Sequence, residues 1–337
     1  MAETRSSARP VAWVLSSGKR GHDIKGLGVA RRLGLEPDLK QVTLGWLGRL
    51  IAPRGLARLD GDLKGPPWPD LVFASGRRTI PGAMALKRRL GNAVFVMALD
   101  DPGLPPERFD LVWASAHDGL SGPNVITTLT APHLLTAEGL EREGHALAET
   151  VGPARLERRP VVGVLVGGPS GAYRFAAEEA ADLGARLAAM QAESNAFVIV
   201  CGSRRTPPEA LAAIAGGLDE GNASVFDAHA GFSPYQGVLG LSSHLIVTPD
   251  SANMIGEAAF TGKPVMVARF AGGSAKFDRF HEGMLAAGAM RWFDGKLETW
   301  DYVPLDATGV VASAVLERLP AGIAARMPHR PDLSTSG

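Results

Sequence analysis

The sequence predicts an α/β protein of two domains, each built around a doubly wound parallel β-sheet. Two patterns indicate this class: short apolar runs recur along the chain, and helical stretches separate them. Runs that are apolar throughout are typical of strands covered on both faces by helices, and strands that alternate with helices form parallel sheets. The chain has 337 residues, more than the roughly 250–300 at which a single hydrophobic core stops growing.

Eight apolar runs are the predicted strands, and the stretches between them include two clear helices, 175–193 and 207–218. The polar stretch 138–160 interrupts this pattern before a second series of strands begins. We therefore place one Rossmann-like domain in residues 1–150 and a second in residues 151–306. In chain order the predicted strands are 11–17, 70–75, 93–99, 110–115, 161–168, 196–202, 244–250 and 263–269.

The composition excludes several classes of function. Lys plus Arg and Asp plus Glu both number 35, so the formal net charge is zero and no overall field would hold a nucleic acid. The single cysteine, Cys201, rules out an intramolecular disulfide and a cysteine-rich metal site. The first residues lack the apolar core of a signal peptide, and no apolar run approaches the ~18 residues of a membrane-spanning helix. We expect a cytoplasmic protein without a nucleic-acid partner.

A strand, a basic loop and a helix start occur twice, as LVFASGRRTIPGAMAL (71–86) and FVIVCGSRRTPPEAL (197–211). Ligands of open α/β sheets bind beyond the carboxyl ends of the strands, so we interpret the two loops as corresponding positions of the two domains. In the second copy Thr206 is the predicted N-cap of a helix, with Arg204 and Arg205 just before it. Helix N-termini and guanidinium groups both favour phosphate. The alternative is that these arginines fasten loops within the protein.

The stretch VLVGGPSGAYRF (164–175) is a glycine-rich turn between a buried strand and a helix. Its glycines would let the backbone approach a pyrophosphate, with Gly167 and Gly168 next to the strand and Ser170 as a further donor. The pattern matches neither the P-loop nor the dinucleotide-binding fingerprint. Taken alone, the turn is equally compatible with a structural role.

The most specific stretch is VTPDSANMIGEAAFTGKPVMV (247–267). Asp250 and Ser251 are predicted to cap a short helix. Asn253 and Glu257 are four residues apart and therefore share one face of that helix. A carboxylate just beyond a phosphate-binding helix end can accept hydrogen bonds from ribose hydroxyls. The alternative is a capped surface helix with a solvated carboxylate.

This last pattern, Asp-Ser followed by Glu-Ala and Gly-Lys-Pro-Val, resembles the donor-nucleotide motif of GT-B nucleotide-sugar enzymes. Those enzymes include the MurG-type N-acetylglucosaminyl transferase and the non-hydrolysing UDP-N-acetylglucosamine 2-epimerases. The resemblance implies that Ser251 and neighbouring N–H groups contact the diphosphate and that Glu257 contacts the ribose. It also makes the loop of Gly167 and Gly168 similar to the diphosphate loop that opens the second GT-B domain.

Nearly the whole chain resembles the elongated-mitochondria fission family, which is named for a plant member and is widespread in bacteria. The resemblance implies a GT-B-like fold with two Rossmann-like domains facing across a cleft, the first completed by the C-terminal helix 307–330. Plant members are linked to recruiting a dynamin-type fission protein, and bacterial members also carry the name nucleotide-sugar epimerase. The matching elements, in order, are SSGKRGHDIKGLGVARRLG (16–34), SGRRTIP (75–81), AHDGLSGPNVITT (116–128), VGGPSGAYRF (166–175), SRRTP (203–207), FSPYQGVL (232–239), TPDSANMIGEAAFTGKPV (248–265) and YVPLDAT (302–308).

Two residues of the first domain are candidate catalytic bases. His22 follows the first strand in a loop that resembles the Gly-His loop of MurG-type enzymes, where an imidazole could accept a proton or bind phosphate. Asp118 follows the fourth strand beside His117. Since neighbouring residues of an extended strand point to opposite faces, only one of this pair would face a ligand. For each candidate the alternative is a structural role, in packing for His22 and in a turn for Asp118.

The stretch GWLGRLIAPRGLARL (45–59) mixes large apolar residues with arginines. Such a composition suits an anionic membrane surface, so peripheral contact with the inner membrane through these residues is one hypothesis, although it is not the commoner outcome for a stretch of this kind. The alternative is a helix that faces the core and holds its arginines in solvent.

Together these patterns predict a glycosyltransferase-like protein that uses a nucleotide-diphosphate sugar as donor and an envelope glycan or glycolipid as acceptor. His22 or Asp118 would take the acceptor proton, and fixed protein groups would stabilise the departing diphosphate without a metal or a cofactor. Two alternatives are open: an epimerase or hydrolase that uses the same donor site, and a scaffold that keeps the fold but not catalysis.

Overall fold

The computed structural model describes residues 9–55 and 57–328. These residues form two compact units: the first comprises 9–55, 57–134 and 306–328, and the second comprises 135–305. Each unit contains one six-stranded sheet in which every strand pairing is parallel. Helices accompany both sheets, so the predicted α/β fold class is confirmed.

The elements are numbered in chain order. The strands are β1 (Ala12–Ser16), β2 (Asp38–Gln41), β3 (Leu71–Ser75), β4 (Phe95–Leu99), β5 (Leu111–Ser115), β6 (Val125–Thr128), β7 (Val161–Val166), β8 (Phe197–Gly202), β9 (Ala223–Phe226), β10 (His244–Val247), β11 (Val265–Val267) and β12 (Arg291–Trp292). The α-helices are α1 (Arg20–Arg32), α2 (Trp46–Ile51), α3 (Ile80–Leu90), α4 (Ala137–Val151), α5 (Ala177–Ser194), α6 (Pro208–Ala215), α7 (Tyr235–Leu241), α8 (Ala252–Phe260), α9 (Ala275–Ala286), α10 (Ala307–Arg318) and α11 (Ala321–Ala324).

All eight predicted strands are present, and the sequence missed four more. The eight are the inner strands of the two sheets, and their residues are buried. The four missed strands, β2, β6, β9 and β12, are the two edges of each sheet. Their side chains are exposed or half-buried. An edge strand needs no continuous apolar run, because solvent or a loop lies on one side of it.

Both sheets reverse their direction of growth beside their first strand. In the first unit the strand order is β2-β1-β3-β4-β5-β6, so the reversal lies between β1 and β3. In the second unit the order is β12-β11-β10-β7-β8-β9, so it lies between β7 and β10. The loops at the carboxyl ends of two such strands run apart to opposite faces of the sheet, and the crevice between them is the usual ligand site of this architecture.

The two basic loops do not occupy corresponding positions, so that interpretation was wrong. The loop 76–79 follows β3, whereas the loop 203–206 follows β8, the strand that comes directly after the first strand of its unit. What the copies share is a local turn. In the first, Thr79 N donates to the Gly76 carbonyl oxygen at 3.0 Å; in the second, Thr206 N donates to the Ser203 carbonyl oxygen at 3.0 Å.

Residues 135–150, which the sequence assigned to the first domain, lie in the second unit. The reason is α4, whose buried stripe includes Gly144 and Leu147 and packs against α7. A Cβ atom added to Gly240 would lie only 1.9 Å from the Leu140 carbonyl oxygen. The polar stretch that suggested a boundary is therefore the solvent side of a packed helix.

The chain re-enters the first unit at Asp306. This residue caps α10 by accepting a hydrogen bond from Gly309 N at 2.8 Å, and it also pairs with Arg32 of α1. The Thr308 hydroxyl accepts a hydrogen bond from His133 N at 2.9 Å. Helix α10 is thus fastened to α1 and to the last loop of the first unit.

Candidate functional site

The loops after β7 and β10 meet at the strand reversal of the second unit. Gly167 N donates to the Thr248 hydroxyl at 2.8 Å, and Gly168 N donates to Asp250 Oδ2 at 3.1 Å. A Cβ atom on Gly167 would lie 2.1 Å from Asp250 Oδ2, so only glycine leaves room for that carboxylate. Gly167 and Gly168 were expected to donate their N–H groups to a diphosphate, but the protein itself occupies both donors. Their role in this structure is to shape the loop.

Arg205 fastens this loop from the other side. Its guanidinium donates to Asp250 Oδ2 at 2.7 Å and to the carbonyl oxygens of Gly168 and Pro169 at 2.9 and 3.1 Å. The Asp250 side chain has no exposed surface, whereas that of Arg205 is 43% exposed. For Arg205 the structure therefore matches the alternative in which an arginine ties loops together. The N-cap of α6 was expected at Thr206, but Thr206 is buried and the N-cap is Pro207.

Arg204, in contrast, is exposed. Within the described ranges it makes neither a hydrogen bond nor an ion pair with protein. Ser170 is exposed as well, and its hydroxyl accepts hydrogen bonds from Ala172 N at 3.3 Å and Tyr173 N at 3.1 Å. Of the two arginines, Arg204 is therefore the one whose charge is left for an external anion.

Ser251 caps α8, as the sequence predicted. Its hydroxyl accepts a hydrogen bond from Met254 N at 3.3 Å. Asp250, the second expected cap, instead turns inward to the glycine loop. The first turn of α8 contains no acidic side chain, so no carboxylate within the helix itself offsets the partial positive charge of its N-terminus. Since this helix begins just after β10, its N-terminus lies at the strand reversal.

Asn253 and Glu257 follow on one face of α8. Asn253 is exposed and Glu257 is half-buried. The Tyr235 hydroxyl, at the start of α7, donates to Glu257 Oε2 at 2.5 Å. Burial raises the pKa of Glu257, and the hydrogen bond from Tyr235 partly offsets this by favouring the ionised carboxylate. The alternative of a solvated surface carboxylate therefore does not describe this residue.

Tyr235 is a site residue that sequence reasoning missed. Burial, and next to it the Glu257 carboxylate, raise the pKa of its hydroxyl well above the usual value, so this group is a hydrogen-bond donor at neutral pH. The residue stood inside the quoted element FSPYQGVL (232–239). Because the spacing between Tyr235 and Glu257 follows no local period, only the fold reveals the contact.

A cavity of about 340 Å³ lies beside the loop after β10. Its walls include Pro249, Tyr173 and Trp292, and the Arg269 guanidinium stands 4.4 Å from the centre of the Trp292 ring. His281 is buried in the wall, and its Nε2 has no hydrogen-bond partner among the residues that the structure describes. Burial lowers the pKa of His281, so the ring is neutral at physiological pH. Sequence reasoning missed this cavity because its residues come from separate loops.

The candidate base His22 lies in the first turn of α1, after β1. Its ring packs on the backbone of the loop after β3: a Cβ atom on Gly76 would lie 2.2 Å from His22 Nδ1. This nitrogen is buried, and no group in the described part of the chain bonds to it. Nε2 is therefore the nitrogen of His22 that can exchange a proton with a ligand.

A polar cluster that the sequence did not indicate accompanies His22. The Ser16 hydroxyl donates to Asp23 Oδ2 at 2.9 Å, and the Ser75 hydroxyl donates to Asp100 Oδ2 at 3.0 Å. Lys25 pairs with Asp100 as well. These residues line the carboxyl ends of β1 and β3, the reversal point of the first sheet. Lys25 and Asp100 offset each other's charge, whereas Oδ1 of the buried Asp23 has no hydrogen-bond partner among the residues that the structure describes.

Asp118 was expected on an extended strand, but it lies in a 3-10 turn, Ala116–Asp118. Alternation of side chains along a strand therefore does not apply to His117 and Asp118. Asp118 is exposed, and His117 is half-buried. The turn follows β5, which β3 and β4 separate from β1 in the sheet. The structure therefore does not bring Asp118 to the strand end that carries His22.

Solved structures share this architecture across the chain. A UDP-GlcNAc 2-epimerase from Neisseria meningitidis, bound to UDP-GlcNAc, matches with a TM-score of 0.51 at 12% identity, over 95% of each chain. The UDP-GlcNAc 2-epimerase of Methanocaldococcus jannaschii matches with a TM-score of 0.51 at 12% identity, over 94% of this chain and 97% of that one. Together with the two parallel sheets, these likenesses define the class: a protein with a GT-B-like fold.

Within this class the sequence identifies the family. Residues 20–319 match the family model described as mitochondrial fission ELM1, and the chain belongs to that family. A relative, the mitochondrial fission protein ELM1 of Arabidopsis thaliana, is 27% identical over 277 residues, which are 75% of this chain. The match spans 64% of the plant protein, less than two thirds of its length.

Proposed function

We propose that the second unit binds a nucleotide-diphosphate sugar and that the protein transfers the sugar to an envelope glycan or glycolipid. One observation carries the proposal: α8 begins at the strand reversal with a positive end capped by Ser251, and less than two turns later it presents Glu257, held by Tyr235. A helix end for phosphate and a fixed carboxylate for hydroxyls are the two groups that a nucleoside diphosphate requires.

The diphosphate is assigned to the N-terminus of α8 and to Arg204. The helix end offers backbone N–H groups and a partial positive charge, and a guanidinium can bind two phosphate oxygens at once. When the sugar leaves, negative charge accumulates on the diphosphate, and these fixed groups stabilise it. Arg205, Gly167 and Gly168 contribute indirectly, because their contacts with Asp250 set the shape of the loop beside the helix end.

The ribose is assigned to Glu257. An ionised carboxylate accepts hydrogen bonds from two neighbouring hydroxyls, and Tyr235 occupies Oε2 on one side. Because burial raises the pKa of this carboxyl, the tyrosine hydrogen bond helps to keep it ionised. Tyr235 is a positioning residue in this scheme.

The acceptor reaction needs a base. In the proposed step, the acceptor oxygen forms a bond to the anomeric carbon, the bond from that carbon to the diphosphate breaks, and the base takes the acceptor's hydroxyl proton. His22 through Nε2 and Asp118 are the candidates. The variants His22→Gln and Asp118→Asn distinguish them. Only substitution of the true base should abolish transfer while leaving nucleotide affinity unchanged.

A second candidate function uses the same donor site. The two structural neighbours named above are UDP-GlcNAc 2-epimerases, and epimerisation or hydrolysis of a nucleotide sugar needs no acceptor. Incubation of the protein with UDP-GlcNAc alone separates these reactions: release of UDP or formation of an epimer without any acceptor favours the second candidate.

The decisive experiment is calorimetric titration with UDP, GDP, TDP and UDP-GlcNAc, repeated on Glu257→Ala. We expect saturable binding of at least one of them, weakened about 10- to 100-fold by the substitution, as for loss of a hydrogen bond to a charged group worth about 1.5–3 kcal/mol. Glu220→Ala is the matched control, since Glu220 is exposed and lies before the amino end of β9. Its affinity should equal that of the parent.

Two results would overturn the proposal. Equal affinity of Glu257→Ala and the parent removes the ribose role. Absence of binding across the panel removes the donor site and leaves a non-catalytic scaffold with a GT-B-like fold.

A further inference from the structure

Helix α2 of the first unit exposes its apolar side chains instead of burying them. None of its residues is buried, although four of the six are large and apolar. Trp46 is 79% exposed and Leu50 is 75% exposed; Leu47 and Ile51 are about half exposed. The alternative of a core-facing helix is therefore wrong. A contiguous exposed apolar patch marks an interaction surface.

The charged side chains of the segment that contains this helix are all of one sign. The segment 45–59 contains Arg49, Arg54 and Arg58 and no acidic residue, in a chain whose formal net charge is zero. The basic character is therefore local to this face. Asp60 and Asp62 begin only after the segment ends.

A groove of about 570 Å³ adjoins the end of α2 and has the same character. Its lining combines apolar carbon from Pro53, Met84 and Leu104 with four cationic side chains and no carboxylate. These cations are Arg54, Lys87, Arg88 and Arg108.

The cations of the groove differ in their partners. Lys87 pairs with Asp110 at 2.7 Å, and Arg88 donates to the Met84 carbonyl oxygen at 3.3 Å. Over the described ranges Arg54, Arg88 and Arg108 form no ion pair with the protein. The Glu107 carboxylate, next to Arg108 in the chain, is exposed and does not line the groove. The groove thus retains net positive charge next to an exposed apolar helix.

We propose that α2 and this groove together form a docking surface for an anionic phospholipid membrane: the apolar side chains of α2 enter the interface, and the groove receives a lipid phosphate. Tryptophan and leucine favour the boundary between headgroups and acyl chains, and arginines at the same level bind the phosphates. A protein partner would need acidic groups of fixed geometry. A lipid surface needs only the combination that is present: exposed apolar residues, with cations in the same segment and in the adjoining groove.

This surface lies in the first unit and is independent of the nucleotide site. In the parts of the chain that the structure describes, no helix has the length and apolarity to cross a membrane. The proposed contact is peripheral, and it would bring the protein to a lipid-borne acceptor.

The test is flotation of the full-length protein with vesicles of phosphatidylcholine alone and of phosphatidylcholine mixed with phosphatidylglycerol. We expect binding to the anionic vesicles only, weakened by added salt. The variant Trp46→Ser/Leu50→Ser should bind at least about tenfold more weakly, because it removes the inserted apolar groups. Arg54→Ser/Arg108→Ser should lose about fivefold for each arginine removed.

Val303→Ser is the matched control, because Val303 is 62% exposed but belongs to the second unit. It should bind vesicles like the parent, and the α2 variants should keep the parent's calorimetric affinity for nucleotides. Because the substituted side chains of α2 are exposed, we expect these variants to remain folded. Circular dichroism checks that they do.

Three outcomes would overturn the proposal. The first is failure of the parent to bind anionic vesicles. The second is equal binding by the α2 variants. The third is a dimer in light scattering that Trp46→Ser/Leu50→Ser converts to a monomer, which would assign the patch to self-association.

Discussion

At the scale of single residues, Arg204 and Arg205 show how neighbours with the same side chain take different roles. Arg205 donates hydrogen bonds to Asp250 and to two backbone carbonyl oxygens, while the Arg204 side chain is exposed to solvent. The sequence could not separate them, because the difference comes from a loop 36 or 37 positions away in the chain.

We predict that substitution of Arg205 mainly lowers stability, whereas substitution of Arg204 mainly weakens nucleotide binding. Arg205→Ala should lower the free energy of unfolding of the second unit by about 1–3 kcal/mol, because it leaves the buried Asp250 carboxylate without its cation; partial exposure of Arg205 keeps the loss below the roughly 3–5 kcal/mol of a fully buried pair. Arg204→Ala should change stability by less than about 0.5 kcal/mol but weaken nucleotide binding. Denaturant unfolding and calorimetry measure the two effects. Equal destabilisation by both variants would contradict these roles.

His133 gives the first unit a dependence on pH. Burial, together with the nearby Arg32 charge, lowers the pKa of His133 from 6.5 to about 4. As pH falls, the unfolded chain therefore takes up this proton first, and stability present above pH 6.5 is lost progressively down to about pH 4. The expected loss is about 3 kcal/mol, at 1.36 kcal/mol per pKa unit.

Hydrogen exchange of the β-strand amides in the first unit, measured across this pH range, tests the prediction. In His133→Gln the slope between these pH values should flatten, because glutamine does not titrate. An unchanged slope would show that another group is responsible.

At the scale of elements, the contact between α4 and α7 depends on glycine. Gly240 lies against the Leu140 carbonyl oxygen, and Gly144 lies against the backbone of Gly240. Backbones this close exclude any side chain at these positions. The contact joins α4 to the second unit.

Gly240→Ala should therefore destabilise the second unit by at least about 2 kcal/mol, since an added methyl must push two helices apart. The matched control is Gly322→Ala in α11, where an added Cβ meets nothing within 4 Å. That change should be neutral or stabilising by up to about 1 kcal/mol, because alanine favours helix. Denaturant titration measures both, and a neutral Gly240→Ala would mean that the helices separate at little cost.

At the scale of the whole molecule, the sequence predicted the strands that burial makes apolar. It missed the contacts between residues that are far apart in the chain. Strands buried on both faces must be apolar, so the fold class and the eight inner strands were readable. Edge strands, the place of α4 and the contact between Tyr235 and Glu257 were not, because none of them leaves a local period. The Ser251 cap was readable, since capping involves residues only three apart.

The route of the chain has a consequence for how the protein is made. The first unit closes only when α10 reaches α1, yet the whole of the second unit, residues 135–305, is synthesised in between. At about 5–20 residues per second that interval lasts roughly 10–35 seconds. During it the α1 surface that α10 will cover stays open on the nascent chain, so the second unit can fold before the first is finished. A ribosome-bound intermediate with one completed unit, and a need for chaperone protection of the other, follow from the position of this single helix.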